Sequence, residues 1–111
     1  MAKGADCVLV LTTLPADADV ENFAAQLVEE RLAACVAIHP GVRSVYRWQG
    51  EVERAHEYQL VLKTTAARAE ALAGRMAALH PYEVPELLIL PVTGGGEAYL
   101  RWIRAETAEE P

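Results

Sequence analysis

The chain predicts an α+β fold: one antiparallel sheet carrying two helices on one face, followed by a short C-terminal helix. Three observations carry that reading. Apolar stretches of strand character and of helical period follow one another in the order β-α-β-β-α-β. Breakers fall between them, at Leu14-Pro15, Gln49-Gly50 and His80-Pro81. The 111 residues, 52% of them hydrophobic, suffice for one packed core and leave no room for a second, so 1–111 is read as a single domain.

Cys7–Thr13 is apolar at successive positions, as in a strand covered on both faces. Asp17 or Asp19 is placed to cap the helix that follows, where Val20, Phe23, Ala24, Leu27, Val28 and Leu32 recur at helical spacing. After Cys35, read as the end of this helix, the period changes. Val36, Ile38, Val42, Val45, Tyr46 and Trp48 form a β-rich stretch interrupted by Pro40-Gly41, a kink or bulge. Gln49-Gly50 is a tight turn into Glu51-Val52-Glu53, and Tyr58–Lys63 is the next strand. Ala66–Leu79 is an alanine-rich helix with Ala69, Leu72, Ala73, Met76 and Leu79 on one stripe, stopped by His80-Pro81. Glu86–Val92 is a fourth strand, Glu97–Glu106 a last helix, and Ala108–Pro111 a frayed tail. This order is the ferredoxin-like split βαβ arrangement, βαββαβ plus a helix.

That topology puts both long helices on one sheet face, yet the strands are apolar on both. Val8 and Val10 point opposite to Leu9 and Leu11, and Leu60 and Leu62 opposite to Val61. A second apolar face needs a cover that the helices do not supply. The long central hairpin and the segment with Tyr99 and Trp102 are the elements expected to meet a neighbouring copy in a closed homo-oligomer.

Composition removes several functions. A net charge of -6, with ten scattered Lys and Arg, argues against nucleic acid as a partner. The only lysines, Lys3 and Lys63, make no polybasic membrane patch, and no apolar run approaches the length of a span. Cys7–Leu11 is too short for a signal-peptide core, so a cytoplasmic location is expected. Cys7 and Cys35 have no CxxC spacing and read as two buried, reduced thiols.

Four blocks carry a family resemblance: Glu30-Arg31-Leu32-Ala33-Ala34-Cys35-Val36, Pro40 through Gly50, Leu62-Lys63-Thr64-Thr65, and His80-Pro81-Tyr82-Glu83-Val84-Pro85-Glu86. In order and spacing, from about Val8 to Ile103, they resemble the CutA divalent-cation-tolerance family. The resemblance implies a ferredoxin-like subunit, a homotrimer joined through sheet edges, an architecture close to the PII signalling proteins, and a link to divalent metals, Cu2+ above all. An enzyme is the least favoured reading, because the residues show no nucleophile–base pair. Relatives described as binding copper use a cysteine after the first strand and two consecutive histidines before Pro-Tyr. Here Thr12-Thr13 and Leu79-His80 stand at those places, so His80 alone carries over.

His80 is therefore the metal candidate, with Glu83 and Glu86 as neighbouring carboxylates; the other reading is a helix C-terminal histidine bonded to the last carbonyls. Trp48, Lys63, Tyr82 and Glu86 form the second constellation, converging in the trimer on a cleft between subunits. Lys63 would be the point charge for a small anion and the aromatics its walls, or Lys63 and a glutamate would form a structural ion pair. His39 and His56 lack partners at ligand spacing and read as solvent-facing or turn residues. Cys35 reads as core packing, Gly94-Gly95-Gly96 as a connector, and Glu51, Glu53 and Glu57 as a solvated acidic edge. Two functions stay in view: a metal-responsive trimer, and a PII-like trimer binding a small anion or a protein partner, with metal effects indirect.

Overall fold

A computed structural model describes residues 6–109. The elements are β1 (Cys7–Pro15), α1 (Val20–Glu29), β2 (Cys35–Trp48), β3 (Glu51–Thr65), α2 (Ala66–Leu79), β4 (Leu88–Pro91) and α3 (Glu97–Thr107). The sheet runs β2-β3-β1-β4 with every neighbouring pair antiparallel. The predicted α+β class and element order are those observed.

The Asp19 carboxylate caps α1 by accepting from the Asn22 N–H at 3.2 Å. Val20, Phe23, Ala24 and Leu27 form its buried stripe. The helix ends three residues before Leu32, because Arg31 takes a left-handed φ of 59°. That turn lets the Leu32 N–H bond the Leu27 carbonyl, and Leu32 stays buried though it is no longer helical. The Arg31 guanidinium then holds the far end of α3 by donating to the carbonyls of Ala105 and Ala108. The expected frayed tail is thus partly tied down, with Glu109 paired to Arg68; Glu110, Pro111 and Lys3 lie outside the described residues.

The first sheet face is the main core. Val8, Val10 and Leu14 of β1 and Leu60 and Leu62 of β3 pack against the stripes of α1 and α2, with Leu72 fully buried. The second face is covered at one end only. Leu100 and Ile103 of α3 close over Cys7 and Ala34, while Tyr99 and Trp102 of the same helix point outward. Beyond α3, the register sets Leu9 and Leu11 beside Leu90 and Leu88 on one side and Lys63 and Val61 on the other. Leu88 is 53% and Leu90 40% exposed. The uncovered apolar face expected from alternation is present, reduced by α3.

The β2–β3 hairpin is longer than its sequence pattern suggests, since Glu51–Thr65 is one continuous strand. Gln49 (φ 49°) and Gly50 (φ 84°) make the two-residue turn, and Gly41 (φ 74°) sits in a bulge between His39 and Val42. The bulge has a consequence for the site. Before it, odd-numbered residues of β2 share the second face with Lys63, Val61 and Gln59; after it, Val42, Ser44, Tyr46 and Trp48 pair with Glu57, Ala55, Glu53 and Glu51. One extra residue thereby turns Ser44, Tyr46 and Trp48 onto the second face.

β4 is shorter than Glu86–Val92, because residues 80–87 are spent on a loop that returns across the end of β1. No helix among the described residues is long and apolar enough to cross a membrane.

Candidate functional site

The loop after α2 and the outer half of the hairpin line an open cleft of about 820 Å3, a volume within the range usual for small-ligand sites. Trp48 and Tyr46 line it from β2, Glu57 from β3, and Tyr82 and Glu86 from the loop. Three of the four predicted cleft residues therefore meet in one chain. Lys63 does not. It lies six residues along β3 from Glu57, about 20 Å away in an extended strand, with its Nζ 3.9 Å from the Cys35 Sγ and 5.7 Å from the centre of the Tyr99 ring. Within one chain the cleft has no lysine, and an anion site built on Lys63 does not form there.

Cys35 also departs from expectation. It opens β2 rather than ending α1, and it is half-buried on the second face beside Lys63, not in the core. Cys7 is the fully buried thiol, and burial pushes its ionisation upward.

His80 caps the end of α2, its backbone N–H bonding the Met76 carbonyl. The ring stands against Phe23, edge-on at 6.2 Å, and Tyr82 at 5.0 Å. Nε2 donates to the Thr13 carbonyl at 2.7 Å and lies 3.3 Å from the Thr12 hydroxyl; Nδ1 accepts from the Tyr82 N–H at 3.1 Å. Neither predicted surrounding is found: Glu83 and Glu86 do not bond the ring, and its acceptor is a strand carbonyl rather than a helix end. The bonding fixes the neutral tautomer with hydrogen on Nε2. Burial holds its pKa below the ordinary histidine value, against the opposing pull of the Thr13 carbonyl and Glu57. A metal ion would need one of these nitrogens as a lone-pair donor. The only lone pair is already taken by the Tyr82 N–H. Among the described residues no cluster of three or more His, Cys, Asp or Glu has metal-binding geometry.

Glu57, expected on the solvated acidic edge, is instead 7% exposed. Its Oε2 accepts from the Tyr82 hydroxyl at 2.7 Å. Burial first, then that hydrogen bond, push the Tyr82 phenol far above its usual pKa, so it stays a proton donor. Glu51 and Glu53 are exposed as expected, as are His39 and His56. Glu86 carries the site's anomaly: its Oε2 is sealed from water and has no hydrogen-bond partner. Gly96 begins α3 as its N-cap, which fits the connector reading of the glycine run.

The family model for CutA1 divalent ion tolerance protein matches residues 8–106. The divalent-cation tolerance protein CutA of Pectobacterium atrosepticum is 45% identical over 100 residues, covering 90% of this chain and 91% of its own. Among solved structures, the divalent cation tolerance protein of Thermus thermophilus is 48% identical with a TM-score of 0.88, covering 92% of this chain and 99% of its own. CutA1 from Oryza sativa is 37% identical with a TM-score of 0.90, covering 98% and 100%.

Proposed function

This chain belongs to the CutA1 divalent ion tolerance family, and from that premise we propose that it is a ligand-binding homotrimer, not an enzyme, whose link to divalent cations runs through what its cleft binds. One observation carries the reading: the cleft of about 820 Å3 lined by the ring faces of Tyr46, Trp48 and Tyr82 beside Glu86. Acceptors and ring faces are the groups that hold a ligand in place, which favours binding over catalysis.

The homotrimer rests on the second sheet face. Leu9, Leu11, Val61, Leu88 and Leu90 line a patch that α3 leaves open, and Tyr99 and Trp102 extend it outward. A soluble chain of this size buries such a surface against copies of itself. Direct metal binding at His80 is the second reading. It meets the hydrogen-bonded ring just described and requires Tyr82 to give up its bond to Nδ1.

Calorimetric titration of metal-free protein with Cu2+ and Zn2+, beside His80→Ala and Glu86→Gln, separates the two. The proposal expects any metal binding to survive H80A. One site per subunit, abolished by H80A and untouched by E86Q, overturns it in favour of a metal centre at His80.

A further inference from the structure

The three helices are not held alike. α1 and α2 share the main core with the first sheet face, whereas α3 rests on a separate, smaller cluster in which Leu100 and Ile103 roof Cys7 and Ala34. Its buried Thr107 hydroxyl donates to the Ile103 carbonyl, a bond that stays within the helix. At its start Gly96 offers no side-chain cap, and the run Gly94-Gly95-Gly96 before it is the backbone that bends at least steric cost. Apolar burial holds α3 by little, and elements so held open at a free energy below that of the whole fold.

What fastens α3 beyond that cluster is charge. Arg31, just past α1, donates from Nε to the Ala108 carbonyl at 2.9 Å and from Nη2 to the Ala105 carbonyl at 2.7 Å. Carbonyls of a last helical turn have no partner within the helix and form the negative end of its dipole, so a guanidinium suits them. Arg104 grips both Asp6 oxygens, at 2.6 and 2.8 Å, and Arg68 of α2 meets Glu109 at 2.9 Å. The Asp6 and Glu109 side chains are 57% and 79% exposed, so dissolved ions reach and weaken these ties. All of them run within one chain and act whether or not a second copy lies against Tyr99 and Trp102.

We propose that α3 is a salt-sensitive flap, latched by Arg31 and Arg104 and hinged at Gly94-Gly95-Gly96, which opens while the main core stays folded. Opening uncovers Cys7 and withdraws Tyr99 and Trp102 from the second sheet face. The surface offered to a neighbouring copy then depends on ionic strength. Cys7 reports the motion, because it is fully buried beneath α3 and burial raises its ionisation, which keeps the closed form unreactive.

The test is alkylation of Cys7 by iodoacetamide, a neutral reagent, in the full chain carrying Cys35→Ser, followed by intact mass. Labelling is expected at a rate that urea below the unfolding transition barely changes and that sodium chloride raises. Arg31→Asn, which loses the guanidinium and suits the left-handed backbone there, is expected to speed it about tenfold. Arg104→Gln is expected to speed it by a smaller factor. Arg75→Gln, which removes an exposed arginine paired with Glu30 rather than with α3, is expected to leave it unchanged. Hydrogen exchange reads the same opening with no substitution: the amides of 100–107 are expected to exchange ahead of those of β1 and α2, and faster in salt. Alkylation that follows the urea transition seen by circular dichroism, with those amides exchanging no earlier than β1, overturns the proposal. A rate indifferent to both salt and R31N overturns it as well. A rate that rises only on dilution of the protein assigns the hold on α3 to a neighbouring copy and overturns the arginine latch.

Discussion

His80 shows how one buried ring sets a pH dependence. Its folded-state pKa lies below that of the unfolded chain, because burial favours the neutral form. Between that depressed value and about 6.5 the unfolded chain therefore binds a proton that the native one does not. Stability then rises with pH across the window and falls as the solution is acidified through it. Protonation at Nδ1 also sets two donors face to face, the ring and the Tyr82 N–H. The paired carboxylates Asp6 and Glu30, whose values are lowered by Arg104 and Arg75, act only at more acidic pH. The melting temperature is expected to drop from pH 7.5 to 5.5, and His80→Gln to flatten that slope. Parallel slopes for the two proteins would sink the assignment. Tyr82→Phe tests the neighbouring bond. Removing the only hydroxyl seen on the Glu57 carboxylate, which is 7% exposed, is expected to cost about 1–3 kcal/mol in urea unfolding.

The role of Glu57 was not legible in the sequence. Glu51, Glu53 and Glu57 share a strand face by parity, and nothing local distinguishes the third from the first two. The difference comes from a loop 25 positions away in sequence folding over Glu57 and leaving the hairpin tip in water. The surroundings of His80 were hidden for the same reason: its acceptor, Thr13, lies 67 positions away. The family blocks join Lys63 to Trp48, Tyr82 and Glu86, and strand geometry separates it from them within a chain. Trp48, Tyr82 and Glu86 were grouped by the family blocks, on a cleft between subunits; that they line one space within a chain follows from the Pro40-Gly41 bulge and the 80–87 loop, which the blocks alone do not show.

At the scale of elements, period and breakers located nearly everything. Two of the exceptions share a cause, that local backbone choices cut an element short of its apolar pattern, while β3 instead runs past its pattern to the hairpin turn. Leu32 continues the stripe of α1, yet the left-handed Arg31 stops the helix and leaves Leu32 to pack from a turn. Leu87 continues the apolar run of β4, and the loop keeps it together with Glu86. The hairpin turn is where element and residue meet. Gly50 takes φ 84° with open space around its Cα, so a side chain there has no steric neighbour and its cost is backbone strain alone. Gly50→Ala is expected to destabilise by about 1 kcal/mol. In the core, Leu72→Ala removes a fully buried side chain beneath the sheet and is expected to cost about 2–5 kcal/mol. Chemical denaturation orders the two, and a G50A loss as large as that of L72A would mean the turn does more than set the hairpin.

The molecule as a whole measures 45 × 28 × 22 Å, an elongated body from which the hairpin projects. Its polarity is divided by face: helices seal one side of the sheet, while the other carries half-buried Leu9, Leu11 and Val61 beside the exposed β4 leucines. Leu88 separates assembly from folding. It sits on the short edge strand, 53% exposed, and belongs to neither buried cluster, so a polar replacement removes little from the core of one chain. Lysine there would set a charge into the proposed interface between copies, where burial without a partner costs several kcal/mol. Leu88→Lys is therefore expected to leave the circular dichroism spectrum native while shifting the mass seen by light scattering from trimer toward monomer at micromolar concentration. A wild-type protein already monomeric under those conditions would remove the homotrimer from the proposal. An L88K protein that remains trimeric would place the contact elsewhere, on the hairpin rather than on the β4 side of the sheet.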